Sequence, residues 1–234
     1  MSEGRASKVV IVDYGVGNLY SVKNACRQVG LPVDISGAPA VVASADAAVL
    51  PGIGAFGDAM ATLRRLDLVG PLRDLVAAGR PVFGVCLGLQ LLMSESYEFG
   101  LHRGLGLIEG TVTHLGRPRA GGDVLKVPHV GWTRIDAADR AWTGTMLDGV
   151  VDGSYMYFVH SYRVEPADPS LVLSYSTYGD VRFCSSIQSG NLFACQFHPE
   201  RSTHLGLRLY ANFKHAIERS RGDAPLGSHN TRED

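Results

Sequence analysis

Residues 84–90 read Gly84-Val85-Cys86-Leu87-Gly88-Leu89-Gln90, and they continue an apolar run over residues 81–85 that predicts a buried strand. Small residues two positions before and two positions after Cys86 permit a sharp turn from that strand into a helix. Such a turn exposes the central side chain, and the free N–H groups at the helix start favour a thiolate and stabilise an oxyanion. The stretch therefore indicates a nucleophilic cysteine. The alternative is a buried core cysteine in a glycine-rich turn.

Strand-like and helix-like segments alternate before and up to this turn. Strands are predicted over residues 8–13, 47–50 and 81–85, and helices over residues 19–29, 58–66 and 71–78. The alternation favours a single three-layer α/β domain in which helices flank a central, mainly parallel (mixed) sheet.

After about residue 104 the pattern changes to strands, which predicts an additional antiparallel strand region. These strands are expected over residues 107–114, 124–135, 155–164, 171–176, 181–188 and 192–197. The turn Ser189-Gly190-Asn191 predicts a hairpin between the last two, and a closing helix is expected over residues 203–219. Residues 116–123, with three glycines and a proline, are expected to form a mobile surface insertion.

No repeat or linker divides the sequence, so we predict one domain over residues 1–220. The polar residues 221–234 lack apolar periodicity and are expected to form a disordered tail. The turn Gly15-Val16-Gly17-Asn18 follows the first strand and is compatible with a dinucleotide site. Because Tyr20 replaces the third glycine of that fingerprint, a tight strand-to-helix turn is favoured instead.

The composition of the 234 residues narrows the function classes. A net charge of −1 argues against nonspecific nucleic-acid binding, which a basic surface drives. No apolar run approaches the ~20 residues that span a bilayer, and residues 1–7 lack the apolar core of a signal peptide. We therefore expect a cytoplasmic protein without nucleic-acid or membrane partners. The four cysteines have no zinc-site or redox spacing, so we expect free thiols and no metal or cofactor.

A base for the thiol is suggested by Gln196-Phe197-His198-Pro199-Glu200, which follows a predicted strand. In an extended chain the side chains of His198 and Glu200 point to one face, so that Glu200 can orient the imidazole. Open α/β sheets bind ligands at the strand ends where this segment and Cys86 are expected to meet. The alternative is an isolated histidine at a strand end beside a solvated glutamate.

The turn around Cys86 and the segment His198-Pro199-Glu200 together resemble the class I (triad) glutamine amidotransferase family. The resemblance implies that Cys86 attacks the side-chain amide of glutamine to form a thioester, that His198 transfers protons and that Glu200 orients His198. It further implies an oxyanion and substrate site, which consists of Gly52, Ile53, Leu87, Gln90, Ser161 and Tyr162. Glycines in Pro51-Gly52-Ile53-Gly54 allow a peptide to rotate, so we expect a resting loop that presents a carbonyl there.

Four further segments, residues 12–18, 50–56, 126–132 and 157–162, resemble one branch of this family. In that branch the ammonia passes to a separate (β/α)8-barrel cyclase in a heterodimer, and glutamine hydrolysis is slow until the cyclase is bound. The resemblance covers residues 8–219. It implies partner contacts, which are Asn18, Lys126, Trp132, Tyr157 and Arg201.

The partner contacts and the acceptor have alternatives. The alternative for Trp132 and Tyr157 is that they are core aromatics. Asn18 would in that case be only a helix cap, and Lys126 only a solvated side chain. Other glutaminase domains serve different acceptors, and a degenerate domain of this type would bind a partner without catalysis. We expect Gly52→Val to abolish stimulation by the cyclase and to leave its contact intact.

Overall fold

The computed structural model describes residues 7–222. Its strands are β1 (Val9–Val12), β2 (Asp34–Ser36), β3 (Ala47–Leu50), β4 (Val82–Val85), β5 (Met93–Ser96), β6 (His102–Arg103), β7 (Ile108–His114), β8 (Arg119–Ala120), β9 (Asp123–Val124), β10 (His129–Arg134), β11 (Asp136–Ala137), β12 (Tyr155–His160), β13 (Tyr162–Pro166), β14 (Val172–Tyr178), β15 (Val181–Ser189) and β16 (Leu192–Cys195). Its helices are α1 (Leu19–Gln28), α2 (Pro39–Ala43), α3 (Phe56–Arg65), α4 (Val69–Ala77), α5 (Leu87–Leu91) and α6 (Thr203–Ser220).

The central sheet has eight strands in the order β11-β14-β15-β16-β4-β3-β1-β2. From β16 to β2 all neighbouring strands run parallel, whereas β15, β14 and β11 are added antiparallel. The hairpin predicted at residues 189–191 joins β15 to β16. The prediction of a mixed, mainly parallel sheet is therefore confirmed.

Side-chain alternation along the buried strands builds the three layers. In β1, Val9 and Ile11 enter one core, and Val10 and Val12 enter the other. Helices α1 and α6 cover the first core, and helices α3 and α4 cover the second. A sheet buried on both faces explains why its central strands read as continuous apolar runs.

The additional strand region consists of a second sheet, β13-β7-β5-β6, and the antiparallel pair β10–β12. Its pairs are antiparallel except for β5 with β7. The single strand predicted over residues 155–164 is wrong, because the chain breaks at Ser161 and its two halves join different sheets. The Ser161 carbonyl accepts from the Leu115 N–H at the break, which places Ser161 and Tyr162 on a bend.

Other segments also differ from the sequence predictions. The short elements β2 and α2 were not expected. The strand predicted over residues 124–135 is interrupted by a cis Val127–Pro128 bond before β10 begins. Residues 116–123 contribute to the hairpin β8–β9, which is anchored because the Arg119 N–H donates to the carboxylate of Asp180 at 2.8 Å.

The predicted tail falls almost wholly on residues 223–234, which lie outside the described residues, and α6 ends at Ser220, where the tail was expected to begin. Within residues 7–222, no helix has the length and apolarity needed to cross a membrane.

Candidate active site

Cys86 lies in the predicted turn between β4 and α5, in a backbone conformation that non-glycine residues rarely adopt. Its φ is 55°, and its N–H donates to the Cys195 carbonyl at 2.8 Å. A Cβ atom at Gly88 would lie 1.9 Å from the Leu50 carbonyl oxygen, and one at Gly84 would lie 3.0 Å from the Ala194 Cβ. Glycine at both positions therefore lets the helix start against the neighbouring strands with Cys86 at the tip.

A cavity of about 460 Å³ opens beside Cys86. Its lining residues are Asn18, Ile53, Gly54, Cys86, Leu87, Gln90, Glu98, Pro128, Val159, His160, Ser161, Tyr162, His198, Glu200 and Arg201. The carboxyl ends of the parallel neighbours β4 and β16 meet here, as expected for ligand sites of open α/β sheets. The three predicted catalytic side chains thus share one cavity.

His198 and Glu200 form the predicted pair, with 2.8 Å between His198 Nδ1 and Glu200 Oε1. Both side chains are buried, at 6% and 3% exposure. The extended geometry predicted for this segment is wrong. Pro199 begins a 3-10 turn over Pro199–Arg201, and the His198 carbonyl accepts from the Arg201 N–H and from the Ser202 hydroxyl. This turn brings the glutamate carboxylate back to the imidazole.

The electrostatics of the site favour a protonated His198. Burial disfavours the imidazolium, but the charge of Cys86, hydrogen bonding to it, and the hydrogen bond and charge of Glu200 outweigh that effect. Together they raise the pKa of His198 to about 10. Because Glu200 occupies Nδ1, the interaction with Cys86 involves Nε2. Within residues 7–222 this buried nitrogen makes no hydrogen bond of full geometry, so it is available to the reacting groups.

The loop at Pro51-Gly52-Ile53-Gly54 presents a backbone carbonyl to the turn at Cys86. The Gly52 carbonyl accepts from the Leu87 N–H at 3.4 Å, and the Tyr14 hydroxyl donates to the Pro51 carbonyl at 2.6 Å. A Cβ atom at Gly52 would lie 2.3 Å from the Tyr14 oxygen and 2.9 Å from the Leu87 Cβ. Gly52→Val would therefore disturb packing as well as peptide rotation, so it is not a selective test of the loop.

Gln90 presents an oxygen to the cavity. Its Nε2 donates both hydrogens, to the Tyr162 carbonyl at 3.2 Å and to Gln196 Oε1 at 3.1 Å, so its Oε1 remains as an acceptor. The buried carboxylate of Glu98, which also accepts from the Phe56 N–H, lines the same cavity. Two acceptors, one of them a carboxylate, suit an ammonium group. No sequence pattern had pointed to Glu98.

A family model described as glutamine amidotransferase class-I matches residues 10–216. The chain belongs to the class-I glutamine amidotransferase family. A relative from Aquifex aeolicus (strain VF5), named imidazole glycerol phosphate synthase subunit HisH, is 46% identical over 213 residues, which are 91% of this chain and 98% of the relative. A relative of the same name from Syntrophotalea carbinolica is 47% identical over 206 residues, 88% of this chain and 98% of its own.

Solved structures support this amidotransferase fold. A crystal structure described as a glutamine amidotransferase has a TM-score of 0.67 at 18% identity, covering 89% of this chain and 98% of that chain. The structure of PurLQS from Thermotoga maritima has a TM-score of 0.63 at 17% identity, covering 93% and 100%. At these identities the likeness concerns the fold alone.

Two histidines without an assigned role adjoin the amidotransferase cavity. His160 Nδ1 lies 2.8 Å from the Tyr162 carbonyl, which only accepts, so this nitrogen carries the hydrogen. His160 Nε2 must then accept from His129 Nδ1 at 3.0 Å, and His129 Nε2 accepts from the Thr133 hydroxyl. Burial lowers the pKa of His129 to about 4 and that of His160 to about 3. The pair is therefore neutral near neutral pH, and it fixes the Tyr162 carbonyl.

Of the residues expected at the partner surface, Asn18 and Arg201 line the cavity, and ring contacts connect Arg201 to Tyr157 and Trp132. The Arg201 guanidinium stands 4.1 Å over the Tyr157 ring, and the Tyr157 and Trp132 ring centroids are 5.9 Å apart. Trp132 is 48% exposed, so its alternative as a core aromatic is wrong. Asn18 caps α1 by accepting from the Ser21 N–H, and it also lines the cavity. Lys126 is exposed, and its carbonyl accepts from the Tyr178 hydroxyl.

Cys86 is itself only 5% exposed, so the turn does not expose it as expected, and the other three cysteines of this amidotransferase are buried thiols, as predicted. Burial raises the pKa of Cys26 and of Cys184 to about 12, and it raises the pKa of Cys195 well above the usual range. These thiols stay protonated, which leaves Cys86 as the candidate nucleophile of the site.

Proposed function

We propose that this chain is the glutaminase subunit of an imidazole glycerol phosphate synthase and acts through the triad Cys86, His198 and Glu200. The observation that carries the proposal is the convergence of a cysteine on a strained turn and a carboxylate-oriented histidine on one cavity. The names of its relatives support the choice of synthase. Glutamine is the proposed substrate, and glutamate and ammonia are the products.

The reaction has an acylation and a hydrolysis step. The Cys86 thiolate attacks the side-chain amide carbon of glutamine, and the carbonyl electron pair moves onto oxygen. When the oxyanion collapses, the C–N bond breaks and His198 Nε2 donates its proton to the nitrogen, which leaves as ammonia. A water molecule then gives a proton to neutral His198 and attacks the thioester, which releases glutamate and the thiolate. Glu200 keeps the imidazole oriented through Nδ1.

Two backbone N–H groups would stabilise the oxyanion, those of Leu87 and Ile53. Rotation of the Gly52–Ile53 peptide removes the Gly52 carbonyl from the Leu87 N–H and turns the Ile53 N–H toward the site. The Tyr14 hydroxyl holds the preceding carbonyl, at Pro51, which confines the rotation to one peptide. Loss of one oxyanion donor costs about 10²–10³ in rate, so a loop in the observed conformation would suppress hydrolysis by a similar factor.

The remaining cavity walls would hold the amino-acid end of glutamine. Gln90 Oε1 and the Glu98 carboxylate are the acceptors available to the α-ammonium group. We assign the bend at Ser161 and Tyr162 to the α-carboxylate. The neutral imidazole of His160 holds this bend in place by donating a hydrogen bond from Nδ1 to the Tyr162 carbonyl.

We propose further that the ammonia passes to a (β/α)8-barrel cyclase subunit in a cytoplasmic heterodimer. The surface formed by Trp132, Tyr157 and Arg201 would contact that partner, because it joins an exposed tryptophan ring and a half-buried tyrosine ring to a guanidinium that lines the cavity. Asn18 and Lys126 are proposed for its rim. Partner binding would favour the rotated form of the Gly52–Ile53 peptide.

The test measures glutamate release from glutamine by this chain, alone and with the cyclase and its nucleotide ligand. We expect strong stimulation that disappears in Cys86→Ala and persists in Cys26→Ala, a matched change at a buried cysteine of α1. Equal activity with and without the cyclase would point to another acceptor. No activity in either mixture, with Cys86 also resistant to alkylation, would favour a noncatalytic subunit.

A further inference from the structure

Gln196 is a fully buried polar side chain next to the nucleophile. It follows β16, two residues before His198, and its N–H donates to the Ser185 carbonyl at 2.9 Å. Its side-chain nitrogen lies 3.6 Å from Cys86 Sγ, within hydrogen-bonding distance of a sulfur atom. The mechanism described above does not use this group.

The orientation of the Gln196 amide follows from its neighbours. The Tyr162 carbonyl only accepts, so the Gln90 amide must direct its nitrogen toward that carbonyl and toward Gln196. Gln196 must then offer its oxygen to Gln90, which leaves its NH2 group facing Cys86. If the Gln196 amide were reversed, its NH2 group would face the NH2 group of Gln90, and its oxygen would face the Cys86 sulfur.

Besides His198, the sulfur has a second neighbour, the Val159 carbonyl, which cannot stabilise a thiolate. The Cys86 thiol donates to the Val159 carbonyl at 3.7 Å, and that carbonyl has nothing to donate once the proton has left. We propose that Gln196 is a further catalytic residue, which donates a hydrogen bond to Cys86 Sγ and so stabilises and aims the thiolate. This inference rests on the proposed function, since it concerns the same nucleophile.

The amide chain also connects substrate recognition to the nucleophile. An ammonium group on Gln90 Oε1 polarises that amide, which strengthens its donation to Gln196 Oε1 and in turn the donation from Gln196 to the sulfur. Glutamine bound at its amino-acid end therefore activates Cys86 more than a simple amide does. The route runs through two side chains, Gln90 and Gln196, and requires no backbone movement.

The experiment compares the alkylation of Cys86 by iodoacetamide in the unsubstituted chain, in Gln196→Met and in Gln188→Met. Iodoacetamide needs no glutamine site, and Gln188 is a matched control on β15 that accepts from the Met146 N–H. Because hydrogen bonds to charged groups are the strong ones, we expect alkylation of Gln196→Met to be about tenfold slower at neutral pH. The rate should recover in alkali, where the thiolate forms without help, and Gln188→Met should match the unsubstituted chain.

A second measurement uses the unsubstituted fold, since Gln196→Met alters a buried position. The sequence has four glutamines, so selective ¹⁵N-glutamine labelling gives four side-chain amides that substitutions assign. The Gln196 amide resonance should shift when Cys86 is alkylated, and it should differ between the unsubstituted chain and Cys86→Ala. Unchanged alkylation in a folded Gln196→Met, or a Gln196 resonance indifferent to Cys86, would overturn the inference. An unsubstituted chain whose Cys86 resists iodoacetamide would instead refute the proposed function.

Discussion

Gly88→Ala is the substitution for which the structure gives the clearest expected magnitude. The added Cβ would lie 1.9 Å from the Leu50 carbonyl oxygen, whereas such contacts are essentially never shorter than 3.0 Å. Helix α5 and the end of β3 must therefore separate by at least 1.1 Å. The nearest obstacle is a backbone atom of a fully buried strand, so no flexible side chain can give way.

This displacement has two consequences. Inserting a methyl group into a well-packed core costs about 1–3 kcal/mol, and each kcal/mol lowers the unfolding midpoint of a chain this size by about 2–4 °C. A misplacement of about 1 Å at a reacting group costs about 10²-fold in rate. We therefore expect a stable fold with a lowered midpoint and a loss of activity much larger than the loss of stability.

The assay measures glutaminase kcat/KM and the iodoacetamide alkylation rate of Cys86, with thermal unfolding followed by circular dichroism. Gly70→Ala is the matched control, because Gly70 lies on the exposed side of α4 with no heavy atom within 4 Å of the added Cβ. The control should retain activity and gain slightly in stability. Gly88→Ala with the unsubstituted rate and midpoint would refute the argument that this helix is seated against Leu50.

Three further outcomes follow from the site. In an NMR titration His198, with a pKa of about 10, should titrate at lower pH in Cys86→Ala, because the charge of Cys86 helps to hold its proton; an unchanged midpoint contradicts this. That raised pKa stabilises the fold fully below pH 6.5, and its contribution is lost as the pH rises through about 10. Burial lowers the pKa values of His129 and His160 to about 4 and 3, so between pH 6.5 and about 4 these imidazoles take up protons mainly in the unfolded chain. The thermal midpoint should therefore fall as the pH is lowered through this window, and it should fall less in His129→Gln. Trp132→Ala should weaken cyclase binding about tenfold or more in calorimetry and leave Cys86 alkylation unchanged; equal affinity would remove Trp132 from the interface.

The sequence predicted those parts of the site that local patterns encode. The turn at Cys86 depends on glycines two residues away, and Glu200 lies two residues from His198, so both appear within short stretches. The extended form expected for His198 and Glu200 was wrong because hydrogen bonds from Arg201 and Ser202 to the His198 carbonyl close a 3-10 turn. The sequence therefore predicted that His198 and Glu200 form a pair, but it did not predict the backbone conformation that brings them together.

Contacts between distant segments were beyond sequence patterns. At the break between β12 and β13, the Ser161 carbonyl accepts from the Leu115 N–H, which lies in another part of the chain. The periodicity of residues 155–164 therefore could not predict this break. Glu98 follows β5 in a segment without recognisable pattern, and its carboxylate accepts from the Phe56 N–H, which is 42 residues away in the chain. The role of Gln196 likewise requires the Tyr162 carbonyl, because that group fixes the direction of the amides.

The Gly52 carbonyl on the Leu87 N–H has a consequence for inhibitor discovery. This oxygen occupies the hydrogen-bond donor that the oxyanion of a tetrahedral adduct would need. A mimic of that adduct must therefore displace the Gly52 carbonyl before the mimic can bind. Screens on the chain without its partner will then select compounds for the amino-acid pocket and reject those for the reaction centre. The affinity for a tetrahedral mimic, measured with and without the cyclase, would report how often the Gly52 carbonyl occupies the Leu87 N–H.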